Sequence, residues 1–206
     1  PNILRGIRNV IAGIVPCAGS SKRMGEPKAL MEVGGKTFVQ AVVDTLVGGG
    51  CTPVVVVVPE DPDIESAARS TGAQVLVNQD PGEGPITSFR LALSQLASAL
   101  DGVIYLPVDH PLVQTDTIRQ LLRVATASSA SVVIPIHLGN RGHPSFFRAN
   151  LFTELNDPEL EGGARTVVHR HLTDAALIPV DDPGVVADID TPESYEVALQ
   201  KVSELL

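Results

Sequence analysis

The sequence predicts a three-layer α/β/α Rossmann-like protein with a mostly parallel sheet. Apolar runs alternate with segments in which apolar residues recur at helical spacing, and this alternation is typical of repeated β-α units. One run, Pro53–Pro59, contains five consecutive valines, which is typical of a strand buried on both faces of a parallel sheet. With 206 residues, 44% of them hydrophobic, the chain can form one domain with a full-sized core.

Short apolar runs bounded by turn residues indicate the strands. The predicted strands are Val10–Val15, Pro53–Pro59, Gln74–Val77, Val103–Pro107, Ser131–Ile136, Ser145–Arg148 and Ala176–Val180. Apolar residues three or four positions apart indicate the helices. The predicted helices are Lys36–Val47, Asp63–Thr71, Ile86–Leu100, Thr115–Ala127, Ala149–Leu155, Ala164–His171 and Thr191–Leu205. We expect one domain over residues 1–206, in which residues 1–9 either belong to the fold or form a flexible N-terminal extension.

The order of these elements also indicates where a ligand binds. In open parallel sheets, ligands bind beyond the carboxyl ends of the strands. We therefore expect the functional site in the loops that follow Val15, Val77 and Leu106.

The charge of the chain excludes some partners. Asp and Glu number 24 against 15 Lys and Arg, so the formal net charge is −9. Nucleic-acid surfaces need clustered cations, so we expect no nucleic-acid partner. A small phosphorylated ligand needs only a few local cations, and an acidic chain suits a divalent metal. The two cysteines, Cys17 and Cys51, lack the spacing of a disulfide framework or a zinc site.

The sequence also indicates the compartment. No apolar run approaches the roughly 20 residues that a membrane span needs. No signal peptide is visible either. We therefore expect a cytoplasmic protein with no membrane contact.

The loop after the first strand has the composition of a phosphate-binding loop. Its glycines allow a sharp turn and a close approach to a ligand, and its small side chains leave consecutive backbone N–H groups open to an anion. Three cations within seven residues can bind the phosphate oxygens. The candidate nucleotide-binding residues of this loop are Pro16, Cys17, Ala18, Gly19, Ser20, Ser21, Arg23 and Lys28. The alternative interpretation is a solvated basic turn.

Two other phosphate-binding motifs are absent. The dinucleotide fingerprint G-x-G-x-x-G does not occur in this loop. The segment Gly34-Gly35-Lys36-Thr37 ends like a P-loop, but Leu30 occupies the position of the required first glycine. We expect this segment to form a turn and a helix start, with Thr37 as a cap.

The run Ala18-Gly19-x-Ser21-x-Arg23-Met24-Gly25-x-Pro27-Lys28 resembles the signature of the MobA/MocA-like nucleotidyltransferases. Pro16-Cys17 replaces the usual Leu-Ala of that signature. The resemblance extends over nearly the whole chain and implies a nucleotide-diphospho-sugar transferase-like fold. It also implies transfer of a nucleotide from an NTP to a phosphorylated acceptor, with Mg²⁺ as cofactor.

Two acidic motifs match the metal ligands of that family. Asp109, in Leu106-Pro-Val-Asp-His-Pro111, corresponds to the aspartate of the family's Gly-Asp-Met-Pro. Asp188-Ile-Asp190-Thr-Pro-Glu193 resembles the near-terminal D-I-D-T-P-E-D, in which Asp190 is the favoured ligand and Asp188 the alternative. Both motifs also suit helix starts, so a capping role stays open for each.

Further motifs indicate the nucleotide and acceptor contacts. The segment from Asn78 to Ser88 resembles the family's base and ribose segment, although Pro85-Ile86 replaces Met-Gly. Its candidate nucleotide-binding residues are Asn78, Gly84, Thr87 and Ser88. Arg141-Gly-His143-Pro and Gly162-Gly-Ala-Arg165 resemble the G-H-P and G-A-R elements of the molybdopterin cytidylyltransferase branch. They imply acceptor-binding roles for His143 and Arg165, each of which also suits a structural or surface residue.

The resemblance implies a mechanism and leaves the substrates open. Lys28, Arg23 and Asp109 are the expected catalytic residues: Arg23 binds the β/γ end, and Lys28 neutralises charge on the α-phosphate. Ala18, with the two acceptor motifs, favours CTP and a molybdopterin or molybdenum-cofactor acceptor, with a molybdoenzyme as a possible partner. The alternatives are a nucleotidyltransferase for a sugar phosphate, phospho-alcohol or phospholactate, and a non-catalytic nucleotide- or cofactor-binding chaperone.

Overall fold

The computed structural model describes residues 10–17, 24–80, 82, 84–96 and 100–203. The strands in these residues are β1 (Ile11–Pro16), β2 (Glu32–Val33), β3 (Lys36–Thr37), β4 (Val54–Pro59), β5 (Gln74–Asn78), β6 (Gly102–Tyr105), β7 (Val132–His137), β8 (Asn140–Arg141), β9 (Ser145–Arg148) and β10 (Ala176–Pro179). The α-helices are α1 (Phe38–Gly49), α2 (Pro62–Ser70), α3 (Pro85–Gln95), α4 (Thr115–Ala127), α5 (Phe152–Leu155), α6 (Gly163–Arg170) and α7 (Pro192–Ser203).

The main sheet has the strand order β10-β7-β9-β6-β1-β4-β5, and β8 pairs with β7. β1 is parallel to β4 and β6, β4 is parallel to β5, and β7 is parallel to β10. β9 is antiparallel to both β6 and β7, because the chain turns back after β7 through the short strand β8 without a helical crossover. The predicted mostly parallel sheet is confirmed.

The five valines of β4 explain the layers on either side of the sheet. Val54, Val56 and Val58 belong to one buried cluster, whereas Val55 and Val57 belong to the other, because successive side chains of a strand point to opposite faces. Buried residues of α1, α2, α4 and α7 pack in the first cluster, and those of α3, α5 and α6 pack in the second. The predicted three-layer arrangement is therefore confirmed.

The helix predicted over Ile86–Leu100 is shorter in the structure. It ends at Gln95, and the backbone of Leu96 is extended (φ −77°, ψ 135°). Leu96 and Leu100 still pack against the second cluster, so the apolar periodicity reports burial beyond the point where the helix ends. Just before β6, the N–H of Asp101 donates to the carbonyl of Val10 beside β1 at 2.9 Å.

Thr37 caps the first helix, as the sequence predicts. The side-chain oxygen of Thr37 accepts a hydrogen bond of 3.3 Å from the backbone N–H of Gln40, which is an N-cap. The preceding hairpin of β2 and β3 was not predicted, because strands of two residues have no periodicity to detect. Among the described residues, no helix has both the length and the apolar character needed to cross a membrane.

Candidate active site

The carboxyl ends of β1 and β6 meet at one edge of the sheet. The ladder continues past β6, since the N–H of Leu106 donates to Ile14 at 3.0 Å and that of Val108 donates to Pro16 at 3.4 Å. On the other side of β1, the N–H of Cys17 donates to Val57 at 2.7 Å. The start of the predicted phosphate loop therefore lies beside the segment that carries Asp109, where the sequence places the site.

Lys28 joins two carboxylates from distant parts of the chain. Its Nζ lies 3.2 Å from Asp109 Oδ2 and also donates to Asp190 Oδ1. Lys28 begins a single 3₁₀ turn that buries Ala29, and this turn directs the lysine towards the sheet edge. The side chains of Asp109 and Asp190 are 27% and 31% exposed, so both carboxylates remain open to solvent and to a ligand.

Neither Asp109 nor Asp190 caps a described helix, although the second motif does form a helix start, since α7 begins at Pro192 directly after Thr191. α4 begins at Thr115, so Asp109 lies too far before it to cap it. At α7, Thr191 Oγ1 accepts from the N–H of Ser194 at 3.2 Å, and Ser194 Oγ accepts from the N–H groups of Asp190 and Thr191. Since Thr191 and Ser194 satisfy the start of α7, the Asp190 carboxylate is left to contact Lys28.

The two carboxylates fit a divalent metal. Asp109 Oδ1 is buried and has no hydrogen-bond partner among the described residues, and a buried anionic oxygen without a donor is costly. The same part of the chain contains no group of three or more His, Cys, Asp or Glu side chains that could hold a metal by themselves. Two carboxylates from distant segments suit a divalent metal that also binds the phosphates of a ligand.

An open cleft of about 1530 Å³ lies in front of these residues. The structure brings together on its lining most of the predicted site residues that it describes. They are Pro16, Cys17, Lys28, Ser88, Asp109, His143, Arg165, Asp188 and Asp190. Asp188 is exposed on this lining, and Asp190 is the one of the pair that contacts Lys28.

Part of the predicted phosphate loop lies outside the described residues. The positions concerned are Ala18, Gly19, Ser20, Ser21 and Arg23. The nucleotide-binding roles of these residues, and the catalytic role of Arg23, stay predictions from the sequence.

Asn78 lies behind the cleft and ties β5 to the start of α3. Its Nδ2 donates to Thr87 Oγ1 at 2.9 Å and to Ser88 Oγ at 3.1 Å, and its Oδ1 accepts from the N–H of Asp80. Thr87 Oγ1 in turn donates to the carbonyl of Gly84. Asn78, Thr87 and Gly84 are not on the described lining of the cleft, and their nucleotide-binding roles stay predictions from the sequence.

Three rings form one wall of the cleft. The ring of His143 lies 4.8 Å from that of His110 and 6.3 Å from that of Tyr105, centroid to centroid. Burial and the neighbouring His110 lower the pKa of His143 to about 3, so this imidazole is neutral near pH 7. Burial, with the charge of Asp109, raises the pKa of Tyr105, which stays protonated. The wall therefore presents the uncharged rings of His143 and Tyr105 beside the charged lysine and aspartates.

Cys17 lines the same cleft, and its thiol is unreactive. Burial raises the pKa of its thiol, and the negative charge of Asp109 raises it further. Because the nucleophilic form of cysteine is the thiolate, Cys17 does not act as a nucleophile.

Two exposed arginines also line the cleft. Arg165 lies in the first turn of α6, and Arg141 lies in β8. Gly162 precedes α6 with φ +74°, a conformation that glycine adopts readily. Sequence reasoning missed Arg141, although it stands two residues before His143. It also missed Tyr105 and His110, because aromatic residues near strand ends are indistinguishable from core residues in one sequence.

A mostly parallel sheet with a lysine–carboxylate cluster at its carboxyl edge defines the class of α/β proteins that bind phosphorylated ligands at this edge. A model of the MobA-like NTP transferase domain matches residues 13–176. The chain therefore belongs to the MobA-like NTP transferase family.

Similar proteins carry different names. A probable molybdenum cofactor guanylyltransferase of Mycolicibacterium paratuberculosis is 32% identical over 197 residues, which cover 92% of this chain and 95% of that protein. Nicotine blue oxidoreductase of Paenarthrobacter nicotinovorans is 30% identical over 192 residues, covering 89% and 93%.

Solved structures share the fold. The crystal structure of Rv0371c from Mycobacterium tuberculosis H37Rv superposes with a TM-score of 0.80 at 28% identity, covering 93% of this chain and 98% of that one. The manganese complex of Rv0371c has a TM-score of 0.75 at 26% identity, with the same coverage.

Proposed function

We propose that this chain is a Mg²⁺-dependent cytoplasmic nucleotidyltransferase that transfers NMP from an NTP to a phosphorylated small-molecule acceptor and releases pyrophosphate. The observation that carries the proposal is the contact of Lys28 with both Asp109 and Asp190. This charged cluster lies in one cleft with His143 and Arg165, so there is room for two ligands side by side.

The reaction needs positioning and charge neutralisation more than a protein nucleophile. An oxygen of the acceptor phosphate forms a bond to the α-phosphorus, and the bond from that phosphorus to the bridging oxygen of pyrophosphate breaks. Lys28 neutralises the negative charge on the α-phosphate, and Arg23 binds the β/γ end that leaves. The attacking phosphate is already anionic, so no general base is required.

Asp109 and Asp190 are the proposed ligands of Mg²⁺, with Asp188 as the alternative to Asp190. When bound there, Mg²⁺ supplies positive charge to the phosphate oxygens. The buried Oδ1 of Asp109, which accepts no hydrogen bond among the described residues, supports this assignment. Support also comes from Rv0371c, which forms a complex with manganese.

The proposed donor nucleotide is CTP and the proposed acceptor is molybdopterin or the molybdenum cofactor. The sequence argument for CTP rests on Ala18 and on the motifs around His143 and Arg165. The name of the Mycolicibacterium relative favours GTP and supports the same class of acceptor. A molybdoenzyme that receives the product is the proposed partner.

One relative is named an oxidoreductase, nicotine blue oxidoreductase, and not a transferase. Nucleotide binding alone therefore does not test nucleotide transfer. We therefore propose to measure pyrophosphate release from CTP, GTP, UTP and ATP, each with Mg²⁺ and molybdopterin. Release that depends on the acceptor and is fastest with CTP is the expected result. Release from GTP but not from CTP would overturn the choice of base and leave the reaction class intact.

Variants connect the activity to the site. Lys28→Ala is expected to lower kcat about 100-fold or more, since it removes a charge that acts in the transition state. Lys201→Ala removes an exposed lysine of α7 and is the matched control, with unchanged kcat. The acceptors to be tried include a sugar phosphate, a phospho-alcohol and phospholactate. If the protein binds a nucleotide but releases no pyrophosphate with each of these acceptors, the result would instead support the non-catalytic chaperone.

A further inference from the structure

The segment between β10 and α7 crosses the loops that carry the site. We call residues 182–190 the closing segment. Its Val185 carbonyl accepts a hydrogen bond of 2.8 Å from the N–H of His143, and its Ile189 N–H donates one of 2.9 Å to the Asp109 carbonyl. The closing segment therefore holds, through its backbone, two residues of the cleft lining, His143 and Asp109, and it carries Asp190 itself.

The closing segment packs against these loops with no space for a side chain between the two backbones. A Cβ added at Gly142 would lie 1.9 Å from the carbonyl oxygen of Val185. A Cβ added at Gly184 would lie 2.3 Å from the carbonyl oxygen of Leu112. Glycine at both positions permits the close approach, so the position of the closing segment determines the positions of the loops beneath it.

One buried carboxylate anchors this segment to α4. Asp182 is 2% exposed. Its Oδ2 accepts from the N–H of Gln114 at 2.8 Å and from Thr117 Oγ1 at 2.6 Å, while its Oδ1 accepts from the N–H of Gly184 at 2.9 Å. These donors offset the cost of burying the charge, and the start of a helix favours an anion.

We propose that Asp182 is a positioning residue of the transfer reaction: by anchoring the closing segment to α4, it sets the relative positions of Asp109, Asp190 and His143. This inference rests on the proposed function. Asp182 itself touches neither the cleft nor a reacting group among the described residues, so it acts through the backbone contacts of Val185 and Ile189.

A displacement of the closing segment is expected to affect turnover and nucleotide binding differently. Ser88, the predicted nucleotide contact on the cleft lining, is held by Asn78 Nδ2, and among the described residues no hydrogen bond joins either of them to the closing segment. Displacing the closing segment should therefore affect alignment for transfer more than retention of the nucleotide. A misplacement of about 1 Å can cost on the order of 100-fold in rate.

The test is Asp182→Asn, with Asp181→Asn as the matched control, because Asp181 is the exposed neighbour and the same substitution removes the same charge. Both proteins are assayed well below their unfolding midpoints, where each is fully folded. Asp182→Asn is expected to lower kcat about 10- to 100-fold and to change the Kd of the NTP less than about threefold. Amide exchange at His143 and Ile189 is expected to become at least about tenfold faster.

A different set of results would show that the role of Asp182 is purely structural. A lower unfolding midpoint with unchanged kcat and unchanged exchange at these two amides would show that Asp182 only stabilises the fold, and would overturn the inference. If Asp182→Asn does not fold, Thr117→Val and Thr117→Ser replace it. Valine removes the hydroxyl that donates to Asp182, whereas serine keeps it, so the inference requires slower turnover in the first variant and rescue in the second.

A failure of the proposed function can be distinguished from a failure of the anchoring by Asp182. If the parent protein releases no pyrophosphate with any NTP and acceptor, the function fails, while amide exchange still tests the anchoring. Faster exchange at His143 and Ile189 in Asp182→Asn, but not in Asp181→Asn, would then support the anchoring by itself. Unchanged exchange would overturn it.

Discussion

The N–H of Ile189 donates a hydrogen bond of 2.9 Å to the carbonyl oxygen of Asp109. Through this bond, the segment that carries Asp190 is joined to the loop that carries Asp109, although the two aspartates are 81 positions apart in the sequence. Lys28 then contacts both carboxylates. The candidate site is therefore assembled by backbone pairing before any ligand binds, and this arrangement makes the following predictions.

Replacing Lys28 with alanine should increase the effect of divalent metal on stability. The substitution leaves the two carboxylates without the ammonium that lies between them, so their repulsion lowers the unfolding midpoint and raises their affinity for Mg²⁺ or Mn²⁺. A metal titration followed by thermal unfolding should show a larger upward shift in Lys28→Ala than in the parent, since a ligand of the folded state stabilises it. An equal or smaller shift would contradict a metal site at these carboxylates.

Asp109→Asn should abolish that metal-dependent shift and lower kcat about 100-fold or more. The amide keeps the shape of the carboxylate but removes the charge that a divalent cation needs. Asp116→Asn, an exposed position in the first turn of α4, is the control and should retain both properties. Full activity of Asp109→Asn would exclude the aspartate from the reaction.

His143 should make the folded state sensitive to acid. Its pKa is lowered from 6.5 to about 3 in the folded chain, so between these pH values the unfolded chain takes up a proton that the folded chain does not. The free energy of unfolding therefore falls as pH decreases through this window, by up to about 1.4 kcal/mol per pH unit. Denaturant unfolding from pH 7 to pH 4 should show a shallower loss in His143→Gln, whereas His169→Gln, at an exposed histidine, should behave like the parent.

Asn78→Ala should destabilise the turn that borders the cleft. It leaves the N–H of Asp80 without its acceptor and removes the donor to Thr87 and Ser88, at a cost of about 2 kcal/mol. For a chain of this size, that corresponds to a drop in unfolding midpoint of about 4–8 °C. The exposed Asn150 is the control position, and an equal effect of Asn150→Ala would argue against a special role for Asn78.

Arg165→Ala should raise the KM for the acceptor about tenfold while leaving the Kd of the nucleotide unchanged, because Arg165 lines the cleft and its motif implies an acceptor-binding role. A charge-assisted bond to a phosphate contributes about 1.5–3 kcal/mol, which is consistent with this factor. Steady-state kinetics with varied acceptor provide the measurement. A change confined to the nucleotide would assign Arg165 to the donor side instead.

Much of the fold was predictable because it depends on local periodicity. The valines of β4 and the apolar spacing of α1 report burial directly, and both elements lie within two residues of their predicted bounds. The end of α3 was not predictable, because Leu96 and Leu100 continue the apolar pattern after the helix has stopped. The reversed direction of β9 was equally hidden, since a strand has the same sequence pattern in either direction.

For the candidate site too, one part was predictable from the sequence and another part was not. The family, the loop chemistry and the identities of Lys28, Asp109 and Asp190 could be inferred without a structure, because residue types and short motifs carry that information. The fold was needed to show that these three side chains meet, that Thr191 and Ser194 rather than Asp190 satisfy the start of α7, and that Asp182 is buried at α4. Those facts depend on which distant backbones pair, and pairing between residues far apart is set by the packing of the whole chain.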